Sequence, residues 1–327
     1  MERFVFVAAI VVASIFALGA IFGKYDGQFA FHFDDEHRTA ELVQLAPEQV
    51  PAQSYQASSI RLRHVAARIM VTAEDRTDVS IEIDNPGGAP TPEISLDGGR
   101  LSLDGRLRGR LGSCSEEGVE LRGYGFVAYQ DAPLITIRAP RDLDLDIAGA
   151  GRAEIGETER LTLDVNGCAH AAAANVTGQA KLDLNGSGQI TLAGAETASV
   201  DLNGSGRVRI EQARAGADAE VNGSGAIVFA SLSGPLSFDN RGSGEMEVLA
   251  GAVTEARIDL FGSGRVRVNA PIQSLDVSIF GSGDVEAPLS VGDLDAEIFG
   301  SGDVRVGAVT GATRQEARGS GSVRVGP

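Results

Sequence analysis

Residues 181–192 read KLDLNGSGQITL, and residues 199–210 read SVDLNGSGRVRI. The shared unit recurs down the chain. NGSG begins at Asn185, Asn203 and Asn222, RGSG at Arg241 and Arg318, and FGSG at Phe261, Phe280 and Phe299. The first glycines of these copies, Gly186, Gly204, Gly223, Gly242, Gly262, Gly281, Gly300 and Gly319, advance by 18 to 20 residues. Two degenerate copies precede them at Gly149 and Gly167. A fixed short period of this kind marks a stacked-repeat architecture. Apolar residues alternate on both sides of each glycine turn, as in Val200-Asp201-Leu202 before it and Val208-Arg209-Ile210 after it. Alternation with period two is strand periodicity. Each repeat therefore supplies at least two short strands joined by a glycine corner. One repeat is too short to enclose a core, so it must coil as a rung with the next stacked upon it. The expected fold is all-β, a parallel β-helix (β-solenoid) with rungs of about 19 residues, preceded by an N-terminal hydrophobic helix. At roughly 4.8 Å per rung the visible copies make a rod on the order of 50 Å long.

Outward from the repeat, four stretches are expected. Residues 146–327 are the GSG-repeat solenoid, and residues 55–145 are irregular leading β rungs or a cap. Within that lead, Asn85–Pro92 and Arg106–Gly125 read as loops, and residues 24–54, carrying Pro47 and Pro51, as a tether. Residues 1–23 are a signal anchor or signal peptide: Arg3 precedes an almost unbroken apolar run from Phe4 to Phe22. At about 1.5 Å per residue such a helix nearly spans a hydrocarbon core of roughly 30 Å. Acidic Asp26, Asp34, Asp35 and Glu36 follow the run while Arg3 precedes it, so the positive-inside tendency leaves the remainder of the chain on the far side of the membrane. The expectation is an exported protein anchored in the inner membrane through residues 4–22, its solenoid in the periplasm. The alternative is cleavage near Ala17-Leu18-Gly19, releasing a periplasmic or cell-surface protein.

Stacking turns every position of the repeat into a column. Three residues before the corner glycine stand Asp146, Asp164, Asp183, Asp201, Glu220, Asp239, Asp259, Ser278, Glu297 and Glu316, nine of the ten acidic. Flanked by apolar neighbours, this column should face solvent, where like charges one rung apart repel. Pairing with Arg207, Arg209, Arg265, Arg267, Arg305 and Arg324 after the corner is one expected compensation. A row of divalent cations such as calcium, or a cationic envelope component, is the other, with Asp164, Asp183, Asp201, Glu220, Asp239 and Asp259 as its binding residues. The residue just before the corner is asparagine at 166, 185, 203 and 222, then Phe261, Phe280 and Phe299. Asparagines in register bond along a rod, and phenylalanines in register stack. Turned outward, the three rings form an apolar stripe for a protein partner or a glycan.

A net charge of −17, with no tryptophan and 42 glycines, describes a thin regular core and a field that repels phosphate backbones. Nucleic acid is accordingly not an expected partner. Two cysteines, Cys114 and Cys168, are too few for a structural zinc site. They either pair in an oxidising compartment or remain free thiols. The histidines, His32, His37, His64 and His170, are scattered, and no histidine column accompanies the corner serines. No Ser-His arrangement can be built from the repeat. No metal site or resident cofactor is expected. The segment Arg106–Tyr129, with Cys114, Tyr124 and Tyr129, is the one irregular place for a local site.

An export segment, a variable β-rich lead and tandem GSG corners flanked by alternating strands together resemble the head GIN domain family of putative auto-transporter adhesins. The resemblance covers most of Ile60 to Pro327. It implies a β-helical bacterial envelope protein with an adhesive role, names no ligand and brings no functional residues with it. The expected function is a non-catalytic envelope binding or adhesion module. The alternatives are a polysaccharide-acting β-helix enzyme and a structural envelope protein that associates end to end.

Overall fold

The structure, a computed structural model, describes residues 43–326. The expected hydrophobic helix and most of the expected tether lie outside these residues. The described chain opens with β1 (Glu48–Tyr55), β2 (Ser59–Glu74), β3 (Val79–Asn85), β4 (Glu93–Asp97) and β5 (Arg100–Asp104). A small sheet of β6 (Leu111–Cys114), β7 (Gly118–Leu121) and β8 (Gly125–Ala128) follows, then β9 (Leu134–Pro140) and β10 (Asp142–Ile155). From β10 onward the chain is a parallel β-solenoid in which each rung pairs with the next in register. Asp142–Gly149 pairs with Arg160–Gly167, which pairs with Ala180–Gly186, which pairs with Ala198–Gly204, and so on to Thr313–Gly319. These segments before the corner form a front sheet. Those after it, from Arg152–Ile155 through Arg207–Ile210 to Ser322–Val325, form a side sheet. A third, short column closes the rung through bridges such as Ala195 to Ala213 to Leu232.

The corner is where glycine is required. Gly204 has φ +125°, a left-handed conformation that side chains resist, and a Cβ there would stand 2.5 Å from the Gly186 carbonyl oxygen of the rung before. Between corners the alternation does the rest. Leu182, Leu184, Ile190 and Leu192 of one rung, and Val200, Leu202, Val208 and Ile210 of the next, are buried in one continuous core. Among the described residues, Phe229 and Phe238 are the largest fully buried side chains in it.

Two features of the lead differ from expectation. Residues 48–54, assigned to the tether, belong to β1, which pairs antiparallel with β3; the Pro51 that suggested a linker is tolerated because β1 is an edge strand beside the register shift between Val50 and Gln53. Within the lead, β2 is a full rung, parallel to β10 on one side and to β5 and β9 on the other. It carries no glycine motif: Val65-Ala66-Ala67 stands opposite Gly149-Ala150-Gly151. Finally, the expected loop Arg106–Gly125 contains most of the β6–β8 sheet, with a core of its own around Leu107, Val119, Leu121, Val127 and Tyr129. Above β5 and β9 the end is closed by antiparallel β4 and β3. The only helical turn among the described residues is Tyr129–Asp131, and no helix there is long and apolar enough to cross a membrane.

Candidate functional site

The outward side chains of the front sheet stand at one, three and five residues before the corner. The acidic column is continuous in register: Asp146 opposes Asp164, then Asp183, Asp201, Glu220, Asp239, Asp259, Ser278, Glu297 and Glu316 follow. At its N-terminal end Arg61 of β2 takes the same column, with Nε 2.6 Å from Asp146 Oδ2.

The expected compensation by arginines after the corner is not what forms. The corner turns the chain, so Arg209, Arg265, Arg267 and Arg305 lie on the side sheet and pair there, with Glu211, Glu245 and Glu286. The acidic column instead uses cations of its own face. Lys181 reaches Asp183 at 3.0 Å, Arg257 reaches Asp259 at 3.1 Å, Arg314 reaches Glu297 at 3.4 Å and Arg318 reaches Glu316 at 2.6 Å, while Arg241 contacts Glu220. The asparagines act as donors to the column rather than to one another: Asn166 donates to Asp146 at 3.3 Å and Asn222 to Glu220 at 3.1 Å.

Some carboxylates are left with too little. Burial, the hydrogen bond and charge of Asp183, and the charge of Asp146 push Asp164 up to about 6. Burial first, and then neighbouring carboxylates, also raise Asp201 and Asp239. Asp276, five residues before its corner, is raised by burial and by Asp295. Among the described residues no three His, Cys, Asp or Glu side chains converge in a way that would hold a metal ion. A side-by-side ladder on a flat sheet spaces its carboxylates along a line and does not wrap them round a cation.

The aromatic column is a stack. Phe261 and Phe280 lie 5.2 Å apart between centroids with planes 3° apart, and Phe280 and Phe299 lie 5.0 Å apart at 4°. Arg318 covers the last ring at 5.4 Å. Phe261 and Phe280 are each 43 % exposed. Because each inner ring face is turned to its neighbour, the stripe offers ring edges to solvent, not the open faces on which a sugar would lie.

On the side sheet, Cys114 of β6 and Cys168 are joined as a disulfide with Cα atoms 6.3 Å apart, which ties the β6–β8 insert to the rung after β10. Beside them is a depression of about 420 Å³ lined by Ser113, Ser115, Glu116, His170 and Ser187. Burial, followed by the charge of Arg152, lowers the pKa of His170. No hydrogen bond joins His170 to a serine among the described residues.

Three overlapping matches to one family model run over residues 67–230, 171–288 and 241–326, together spanning both sheets and the corner series. No curated protein matches the chain. Among solved structures, a putative adhesin from Parabacteroides distasonis ATCC 8503 is 15% identical, with 85% of this chain and 97% of that chain covered at a TM-score of 0.46. A putative adhesin from Parabacteroides merdae ATCC 43184 is 18% identical, covering 86% of this chain and 96% of that one at 0.40. A putative lipid binding protein from Parabacteroides distasonis ATCC 8503 is also 18% identical, with the same coverages and a TM-score of 0.39. The family model spans most of the chain, and the chain belongs to the family described as putative auto-transporter adhesin, head GIN domain.

Proposed function

We propose that this protein is an exported, non-catalytic binding or adhesion module of the bacterial cell envelope that meets its partner with the front sheet. The observation that carries the reading is the Phe261–Phe280–Phe299 stack, its first two rings exposed, set one column from the acidic ladder on a face fixed by in-register hydrogen bonding. Such a face needs no ordering when a partner arrives, so little conformational entropy opposes contact. The stack alone is small. At 43 % exposure a ring offers roughly 90 Å², whereas a stable protein interface buries about 1,200–2,000 Å² in total. The stripe is thus the anchor of a wider footprint running along the rod. The apolar run of residues 4–22 supports attachment to the inner membrane, with the solenoid projecting from it into the periplasm.

Beads coated with the full-length protein test the proposal against purified envelope fractions and envelope polysaccharide. The wild type is expected to retain one of these, and Phe280→Asp to lose at least tenfold. Phe280 is surface-exposed, so the variant should keep its circular dichroism spectrum. Equal retention by a folded Phe280→Asp protein would remove the stack from the interface, and no retention by the wild type would remove the adhesive reading.

A further inference from the structure

At the N-terminal end of the front sheet the repeat's chemistry changes. The outward residues of β2 are Ser59, Arg61 and Arg63, opposed in register by Arg100, Ser102 and Asp104 of β5. On β4, Ser95 opposes Ser102 and Asp97 opposes Arg100. Arg61, Arg63 and Arg100, with Ser59, Ser95 and Ser102, line a depression of about 500 Å³, and Asp97 joins them beside the hairpin turn.

These arginines are handled unlike the others on the face. Elsewhere on the front sheet, Arg160, Lys181, Arg257, Arg314 and Arg318 each have a carboxylate oxygen within 3.4 Å. Here only Arg61 does. The Arg63 guanidinium nitrogen is 3.8 Å from Asp104 Oδ2, too long for a hydrogen bond, and Asp104 already accepts from the Arg106 backbone and contacts His64 on its other oxygen. Arg100 has no carboxylate within 4.0 Å among the described residues, although Asp97 is its register partner. On this acidic front sheet, under-neutralised guanidinium groups are the exception. Planar forks with hydroxyl donors between them suit a group with several anionic oxygens, and a single carboxylate would occupy only one fork.

We propose that the depression formed by β2, β4 and β5 binds a phosphate or sulfate group, gripped by Arg63 and Arg100 with Arg61 and the Ser59, Ser95 and Ser102 hydroxyls completing the donor set. The site is separate from the phenylalanine stack, which begins six rungs further along the corner series, counted from β10 at Gly149 to Phe261. The group is either free anion or carried on a larger envelope molecule.

Calorimetric titration of the full-length protein at low ionic strength tests this with inorganic phosphate, inorganic sulfate and glucose 6-phosphate as probes. Saturable binding of at least one is expected, weakened tenfold or more in Arg100→Gln and in Arg63→Gln. Both side chains are exposed, so both variants should melt as the wild type does. Arg324→Gln, on the side sheet, should bind as the wild type. Tighter glucose 6-phosphate supports a group carried on a larger molecule, and tighter inorganic ion supports the free anion. Failure of all three probes to bind at about 10 mM, or undiminished binding by both arginine variants, would overturn the proposal. Bead retention by Arg100→Gln and phosphate binding by Phe280→Asp keep this site and the adhesive face experimentally distinct.

Discussion

At position 204 a side chain meets two independent penalties. The φ of +125° costs an L-residue about 1–2 kcal/mol, and the 2.5 Å approach to the Gly186 carbonyl oxygen cannot relax without parting two rungs. Gly204→Val should therefore destabilise by about 2–5 kcal/mol when overpacking is included, read as a lowered melting temperature by circular dichroism. Gly98→Asn is the comparison: its φ of +53° suits asparagine, and nothing lies within 4 Å of a Cβ there, so its melt should barely move. Equal melts for the two variants would contradict the corner assignment. These glycines were legible because the motif repeats. Asn240 was not: it occupies an inward position between Val221 and Leu260, buried to 1%, and its amide donates to the Gly244 carbonyl at 3.0 Å. Alternation says that such a residue faces inward, but it says nothing about which carbonyl lies within reach.

Ladders are properties of strands in register, and their columns could be read from the sequence because a fixed period makes alignment equivalent to stacking. Their partners could not be read, since a corner decides which columns share a face, and spacing alone gives no turn angle. The arginines after the corner were assigned to the acid ladder on that account, whereas Lys181, Arg257 and Arg314 serve it. The remaining strain has a measurable sign. Asp164, raised to about 6, binds its proton more tightly folded than unfolded. Its contribution to stability is full below the unfolded value near 4 and is lost as pH rises through about 6. Asp201, Asp239 and Asp276 shift the same way, while the lowered His170 opposes them on acidification. Asp78, Asp104 and Asp303, all lowered, contribute stability that is present above about pH 4 and is lost only as pH falls below it. Asp164→Asn isolates the ladder term: it should raise the melting temperature by a few degrees at pH 7.5 and change it little at pH 5. A variant no more stable than the wild type at pH 7.5 would show that solvent and Lys181 already neutralise the column.

Across the molecule, the N-terminal end is ordered differently from the rest. β2 is made before β5, β9 and β10, yet it lies between them, so the lead must close round a strand that the repeat later extends. The β6–β8 insert departs from this stack between β5 and β9 and builds a separate core, with Ala66 and Ala150 as its seat on the rungs. Beyond that seat it is fastened by the Cys114–Cys168 bond, which closes a span of 54 residues, and by Arg152, whose guanidinium meets the Glu116 carbonyl and the Tyr129 ring. A crosslink over such a span limits the unfolded chain by about 4 kcal/mol on the chain-entropy estimate. Solenoid rungs, by contrast, draw stability from their nearest neighbours. Reduction should then loosen the insert well before the rod: with dithiothreitol, limited proteolysis should cut first within residues 105–132, while the strand signal in circular dichroism persists. Simultaneous loss of both would mean that the insert is a cap on which the first rungs depend, and Cys168→Ala should then melt the whole solenoid at the lower temperature.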